Sequence, residues 1–247
     1  MTDRTESASV PGAVSSSRWH LAQEAERDYW RWKTDVIRDP QYRMQLATRA
    51  ERIWSLITDR IARVERVVEI GGGGTQLIDF VSAPQRIGLD PLMGFYRQQF
   101  RGVMDEDVSA IVAVGEGLPL RSDSIDVVIQ RNVLDHVADP FGVCRETYRV
   151  LKPGGIAYIA LNTFSGPLYW FRRVKKQQEH PFAFSTAEAG RLVRRSGLRI
   201  VSEIRDAGET LEEVHEIESP SMYRRVAKRA LISLNSYHFL ELIATKA

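Results

Sequence analysis

Cys144 is the only thiol in the chain. No internal disulfide can form, and no cysteine-based metal site can be built. Long apolar runs are also missing. None approaches the roughly 18 residues needed to cross a bilayer, and the first residues lack the apolar core of a signal peptide. A cytoplasmic protein without a membrane span is the expectation. Charge of one sign is not in excess: the formal net charge is +2, too near balance for a general nucleic-acid binder. No group of His, Asp and Glu residues has metal-ligand spacing, so no metal is expected.

What is present suits one large domain with additions. The 247 residues are 43% hydrophobic and 27% charged, ordinary for a globular enzyme or binding protein. Residues 1–17 are rich in Ser, Thr, Ala and Gly without periodicity and read as a disordered tail. Residues 18–62 read as a helical cap. Leu21, Ala25, Tyr29 and Trp32 fall at near-helical spacing, as do Met44, Ala47, Ile53, Trp54 and Ile57, with Pro40 between the two runs. Trp19, Trp30, Trp32 and Trp54 all lie here. They read either as packing against the main domain or as an aromatic wall over a pocket.

The main domain spans residues 63–247. Strands are expected near Arg66–Ile70, Arg86–Leu89, Val108–Val114, Ser124–Gln130, Gly155–Leu161, Leu198–Ile204 and Tyr237–Thr245. Helical or turn segments alternate with them, so a doubly wound, mostly parallel α/β sheet with right-handed crossovers follows. Ser185 reads as the cap of a helix that runs to about Ser196 and ends at Gly197. An insertion at about 206–236 holds an acidic stretch, Glu209–Glu218, and a basic amphipathic helix, Tyr223–Leu234. Its charges read as a solvated face or as a lid.

Four segments carry the chemistry. Val67-Val68-Glu69-Ile70 is a buried-strand pattern that runs straight into Gly71-Gly72-Gly73-Gly74. Glycine there admits positive φ and lets a ligand touch the main chain, and a helix is expected to follow the turn. Asp90 ends the second strand, nineteen positions after Gly71. An acid at that point can accept hydrogen bonds from ribose hydroxyls or cap the next helix. Val114-Gly115-Glu116-Gly117-Leu118-Pro119-Leu120 follows the third strand. Gly115 and Leu118 there could contact a flat base, and Glu116 reads equally as a polar contact or a loop brace. Asn132-Val133-Leu134-Asp135-His136-Val137 follows the fourth strand, and Lys152-Pro153-Gly154-Gly155 reads as an architectural turn.

Together these segments resemble the class I S-adenosylmethionine-dependent methyltransferases, in particular the small-molecule group with a ubiquinone/menaquinone-type domain. The resemblance rests on Val68–Gly73, Gly88-Leu89-Asp90, Glu116–Leu120, Asp126-Val127-Val128, Val133–Val137 and Arg149–Gly155, in family order and spacing. It implies a Rossmann-like seven-stranded fold and S-adenosyl-L-methionine as cofactor. It also implies that Glu69, Gly71 and Gly73 hold the methionine part and Asp90 the ribose. Gly115, Glu116 and Leu118 would then surround adenine, and carbonyls of Gln130 and Arg131 would reach the cofactor's amino group. Two positions depart from the family. Thr75 stands where many members have the third glycine, and Val114 stands where an aspartate often binds the adenine amino group.

The resemblance implies methyl transfer to a small-molecule acceptor, with O-methylation of a sugar or secondary metabolite as the leading expectation. His136 and His180 are the two candidate bases, the first in the loop after the fourth strand and the second in the variable region after the fifth. Tyr96, Tyr169 and Trp170 are candidates for pocket lining or core. Three other readings stay open. One is a non-catalytic binding module that keeps the fold. Another is an RNA methyltransferase using Arg172, Arg173, Lys175, Lys176, Arg191, Arg194 and Arg195 as a basic face, which the near-balanced charge disfavours. The third is a nicotinamide-dependent dehydrogenase, against which Gln76 stands in place of the third fingerprint glycine. A homodimer is kept as an expectation for the assembly.

Overall fold

The order of elements places a helical cap ahead of a single sheet. A computed structural model describes residues 16–174, 180–205 and 237–247. Most of the expected tail and the whole insertion at 206–236 lie outside these residues. The cap is three helices, α1 (Ser16–Trp32), α2 (Thr34–Arg38) and α3 (Pro40–Thr58). Helix thus begins at Ser16, two residues before the expected cap. Pro40 starts α3 at a position where its missing N–H costs nothing, and the Asp39 carboxylate caps the helix by accepting from the amides of Gln41 and Tyr42.

Seven strands follow among the described residues: β1 (Arg66–Ile70), β2 (Gln85–Leu89), β3 (Ser109–Ile111), β4 (Ile125–Arg131), β5 (Leu151–Phe164), β6 (Arg199–Arg205) and β7 (Tyr237–Thr245). Their order across the sheet is β3-β2-β1-β4-β5-β7-β6. The pairs from β3 through β5 are parallel, whereas β7 runs antiparallel to both β5 and β6. The sheet is therefore mixed, and the expectation of a mostly parallel sheet holds for its first five strands in spatial order. The third strand is also shorter than expected.

Helices α4 (Met93–Gln99), α5 (Pro140–Val150), α6 (Gly166–Val174) and α7 (Thr186–Arg195) complete the described elements. Strand alternation sorts the core into two faces. Val67, Val127, Ile129, Tyr158 and Ile243 pack with Ala50, Ile53 and Ile57 of α3. Val68, Val128, Ala157, Ile159 and Leu242 pack on the opposite face with Val143 of α5 and Leu192 of α7. A third cluster joins Trp30 and Ile37 of the cap to Tyr96 and Phe100.

The cap is tied to the sheet by charge as well. Arg52 of α3 grips fully buried Glu241 of β7 with two guanidinium nitrogens, at 3.1 and 2.5 Å, and the Tyr158 hydroxyl donates to the same carboxylate. A carboxylate taken this far out of water persists only when paired in this way.

One local expectation fails. No α-helix follows the glycine run; two short 3-10 turns, Gly73–Thr75 and Leu77–Phe80, take its place. The Leu77 and Ile78 amides bond to the Glu69 carboxylate and not to carbonyls of a preceding helical turn. The buried amides of these turns need other acceptors, and the Glu69 carboxylate supplies one by accepting from the Ile78 N–H at 2.8 Å.

Candidate active site

The sheet order reverses between β1 and β4, and in open α/β sheets a crevice forms there, outside the strand carboxyl ends. Two cavities occupy it. The smaller, about 70 Å³, is lined by Ile70, Gly71, Leu89, Asp90, Gly115 and Val133 among others. The larger, about 360 Å³, takes in Lys33, Arg49, Asp135, Arg172, His180 and Tyr237. Glu26, Gly71, Asn132 and His136 line both, so the two spaces adjoin.

Asp90 dominates the smaller cavity chemically. Its residue is only 6% exposed, and burial pushes its carboxyl up from an ordinary 3.8 to about 7. Amides of Leu92 and Gly73 oppose that shift by donating to it, and the charge of Glu26 adds to it. A carboxylate with backbone donors alone, facing a narrow cavity, has room for further hydroxyl donors. The glycine turn is beside it, through that same Gly73 contact. Gly71 and Gly73 have φ of +69° and +59°. A Cβ on Gly73 would stand 2.6 Å from the Trp30 ring, so the turn is roofed by α1 and only glycine fits beneath it. The lining therefore fits an adenosine moiety, with apolar walls at Ile70, Leu89 and Val133 and one buried carboxylate, Asp90, beside the less buried Glu26 and Glu116.

The other residues singled out from the sequence are placed less uniformly. Gly115 and Glu116 line the smaller cavity. Glu116 is also a brace, accepting from the amides of Ala138 and Asp139 at 2.7 and 3.0 Å. Leu118 is in the core, outside both linings. The Glu69 side chain is turned onto the Leu77–Ile78 backbone and lines neither cavity; burial pushes its carboxyl up to about 8 against those hydrogen bonds. Gln130 is fully buried, its amide donating to the Thr147 hydroxyl, whereas Arg131 lines the larger cavity. Trp19, Trp30 and Tyr96 face the cavities, so the aromatic wall is real but partial; Trp32 is 56% exposed and Trp54 packs under the sheet. Tyr169 donates to Glu188, and Trp170 is exposed. Of the residues of the basic face, Arg191, Arg194 and Arg195 line neither cavity, and Lys175 and Lys176 lie outside the described residues.

The two candidate bases meet in the larger cavity. Their ring centroids are 4.4 Å apart. His180 Nδ1 lies 2.8 Å from Asp135 Oδ2, and His136 Nε2 lies 3.8 Å from the same oxygen. Burial alone would raise the Asp135 carboxyl, but the charge of His136 and the hydrogen bond from His180 hold it well below the ordinary carboxylate range. Burial alone would lower His180, but Asp135 overcomes this and raises it. Backbone positions this pair: Asn132 turns the chain at φ +54°, and the Phe182 amide donates to the Asp135 carbonyl at 3.4 Å. Asp135 was visible in the sequence only as the residue before a histidine. Glu26, on a different wall, gave no signal at all.

Comparison with known proteins bears on the domain and the fold. Residues 68–159 match a family model described as a methyltransferase domain. The chain is 32% identical over 120 residues to an uncharacterized methyltransferase of Mycobacteroides abscessus, covering 47% of this chain and 46% of that one. It is 30% identical over 117 residues to one of Mycolicibacterium gilvum, with the same coverages. The matched stretch spans about half the length of these curated relatives. Among solved structures, geranyl diphosphate C-methyltransferase from Streptomyces coelicolor superposes with a TM-score of 0.69 at 16% identity, over 96% of this chain and 100% of that one. The cyclase SpnF superposes at 0.66 and 16% identity, over 96% and 98%. At such identities the likeness shows the fold, and that fold has been solved with S-adenosylmethionine bound in a geranyl diphosphate methyltransferase of TM-score 0.67 and 17% identity, over 85% of this chain and 92% of that one. Residues 68–159 thus carry a methyltransferase domain, and the chain around them has the fold of solved S-adenosylmethionine-dependent methyltransferases.

Proposed function

We propose that the chain methylates an oxygen of a small-molecule acceptor, a sugar or other secondary metabolite. The cofactor, when bound, supplies a methyl group on a sulfonium and a good leaving group. The observation that carries the reading is the joining of two unlike cavities through Gly71, Asn132 and His136. One holds a lone buried carboxylate suited to a ribose, and the other an imidazole–carboxylate pair suited to moving a proton.

Within this reading Asp90 orients the adenosine, and the Trp30 roof over Gly73 excludes water from it. Asp135 holds the His180 ring by Nδ1, which leaves Nε2 to accept the proton of an acceptor hydroxyl. Alignment of this kind can be worth about 7–11 kcal/mol of barrier. No helix among the described residues is long and apolar enough to cross a membrane, in keeping with a diffusible acceptor.

The test is incubation with methyl-labelled S-adenosylmethionine and fractionated metabolites of the source. Label should appear in one small, ether-linked product. Binding of S-adenosylhomocysteine with no label transferred to any fraction would favour a non-catalytic module. Label in RNA, lost at higher salt, would favour the RNA reading.

A further inference from the structure

We infer that Asp135, His136 and His180 form a binding site for one divalent transition-metal ion. One donor atom from each lies within 4.8 Å of the others. Two imidazoles present nitrogens to the same carboxylate oxygen at 2.8 and 3.8 Å. Donors on one ion at bond lengths of about 2.1 Å stand roughly 3–3.5 Å apart, so the two separations bracket what an ion needs. All three donors lie within 4.8 Å of one another, so an ion would have to draw the His136 ring inward.

A second observation points the same way. Asp135 is 6% exposed, and its Oδ1 is buried with no hydrogen-bond partner among the described residues. A carboxylate oxygen removed from water and left unmatched is costly, and an ion held by both Asp135 oxygens, Oδ2 toward the imidazoles and Oδ1 beside it, would satisfy it.

The surroundings add a third. Metal-bound histidines usually have the far ring nitrogen held by a carboxylate. Glu26 Oε2 stands 3.8 Å from His136 Nδ1, on the side of the ring away from Asp135, and its other oxygen is anchored by the Trp30 Nε1–H at 2.7 Å. Glu26 is thus near enough to favour the tautomer with the proton on Nδ1, which leaves Nε2 for the ion. Three protein donors beside an open cavity of about 360 Å³ leave a coordination position for a ligand oxygen.

Donor chemistry selects the ion. Two nitrogens and one oxygen suit zinc, manganese, iron or cobalt, whereas magnesium and calcium prefer all-oxygen sites. The sequence concealed this site, because His180 is remote from Asp135-His136 and no ligand spacing is visible. The fold closes it by the Phe182-to-Asp135 backbone tie.

What the ion does rests on the proposed function; that it binds does not. In that reading the ion holds the acceptor hydroxyl and eases loss of its proton to solvent, taking over from the His180 imidazole.

The experiment uses the whole chain without an affinity tag, stripped with chelator and titrated with cobalt(II), with zinc bound in parallel by equilibrium dialysis. One ion per chain is expected, with visible absorption bands of nitrogen–oxygen coordination and no displacement by excess magnesium. His136→Ala and His180→Gln should each weaken binding at least about tenfold. Calorimetry with S-adenosylhomocysteine on the same samples reports whether each variant is folded. A chain that binds the homocysteine but no cobalt overturns the metal site alone. Cobalt binding that survives both substitutions unchanged also overturns it. A chain that binds cobalt as described but no homocysteine supports the site and overturns the cofactor reading instead.

Discussion

The two adjoining cavities are built in opposite ways. The smaller one is made from successive strand ends: Ile70 and Gly71 after β1, Leu89 and Asp90 after β2, Gly115 after β3. Much of its wall is apolar, and among its carboxylates, Glu26, Asp90 and Glu116, Asp90 is the buried one. The larger gathers residues that are remote in sequence, Glu26, Arg49, Asp135, His180 and Tyr237, and is rich in charge. A parallel sheet repeats one local geometry at every strand end, so short, regular loops line the smaller cavity. The cap and the returning antiparallel strand supply walls of the larger one, which under the proposed function would take the acceptor.

If the halves are separable in function, substitutions should divide between rate and cofactor affinity. His180→Ala should lower the turnover of methyl transfer by about 10²–10⁴-fold, with S-adenosylhomocysteine affinity within about threefold of the original by calorimetry. An equal loss of both would mean that the two spaces act as one. Asp90→Ala should do the reverse, weakening the homocysteine by about 10–100-fold as hydrogen bonds to a charged group are lost. If Asp90→Ala binds like the parent chain, the ribose is not where we place it.

A smaller effect concerns pH. The Asp90 carboxyl is raised to about 7, and hydroxyl donors favour its charged form. Binding should therefore release a proton below about pH 7. S-adenosylhomocysteine affinity should rise with pH by up to about tenfold per unit and level off above 7. In the ligand-free chain the sign is opposite: a raised acid costs fold stability as pH climbs from its ordinary value of 3.8 toward 7. Asp90→Asn should flatten the binding curve read by calorimetry across pH 5–8 and make the fall in thermal stability shallower, the remainder belonging to Asp79 and Glu69, which burial also raises.

The comparison also explains how much the sequence disclosed. Gly71, Asp90 and Gly115 were legible because each sits in a contiguous strand-and-turn pattern whose geometry repeats. Glu69 shared that pattern, yet its side chain turns away. The segment after the glycine run forms 3-10 turns, and their amides claim the carboxylate. The meeting of His136 with His180 was not legible. It depends on the loop after β5 folding back, which is set by backbone contacts to Asp135 and by Phe184 pairing beside β5. Local pattern carries no information about such a return. The same holds for Glu26, whose only sequence signature is a place on a helix.

The clamp of Arg52 on Glu241 has an evolutionary consequence. With a charge sealed in the sheet next to its edge strand, losing α3 would leave the Glu241 carboxylate without its guanidinium, held by the Tyr158 hydroxyl. The cap cannot be exchanged wholesale for another module, as a surface loop can. A lineage that drifts toward a new acceptor has to do so one side chain at a time, on helices already fixed in place.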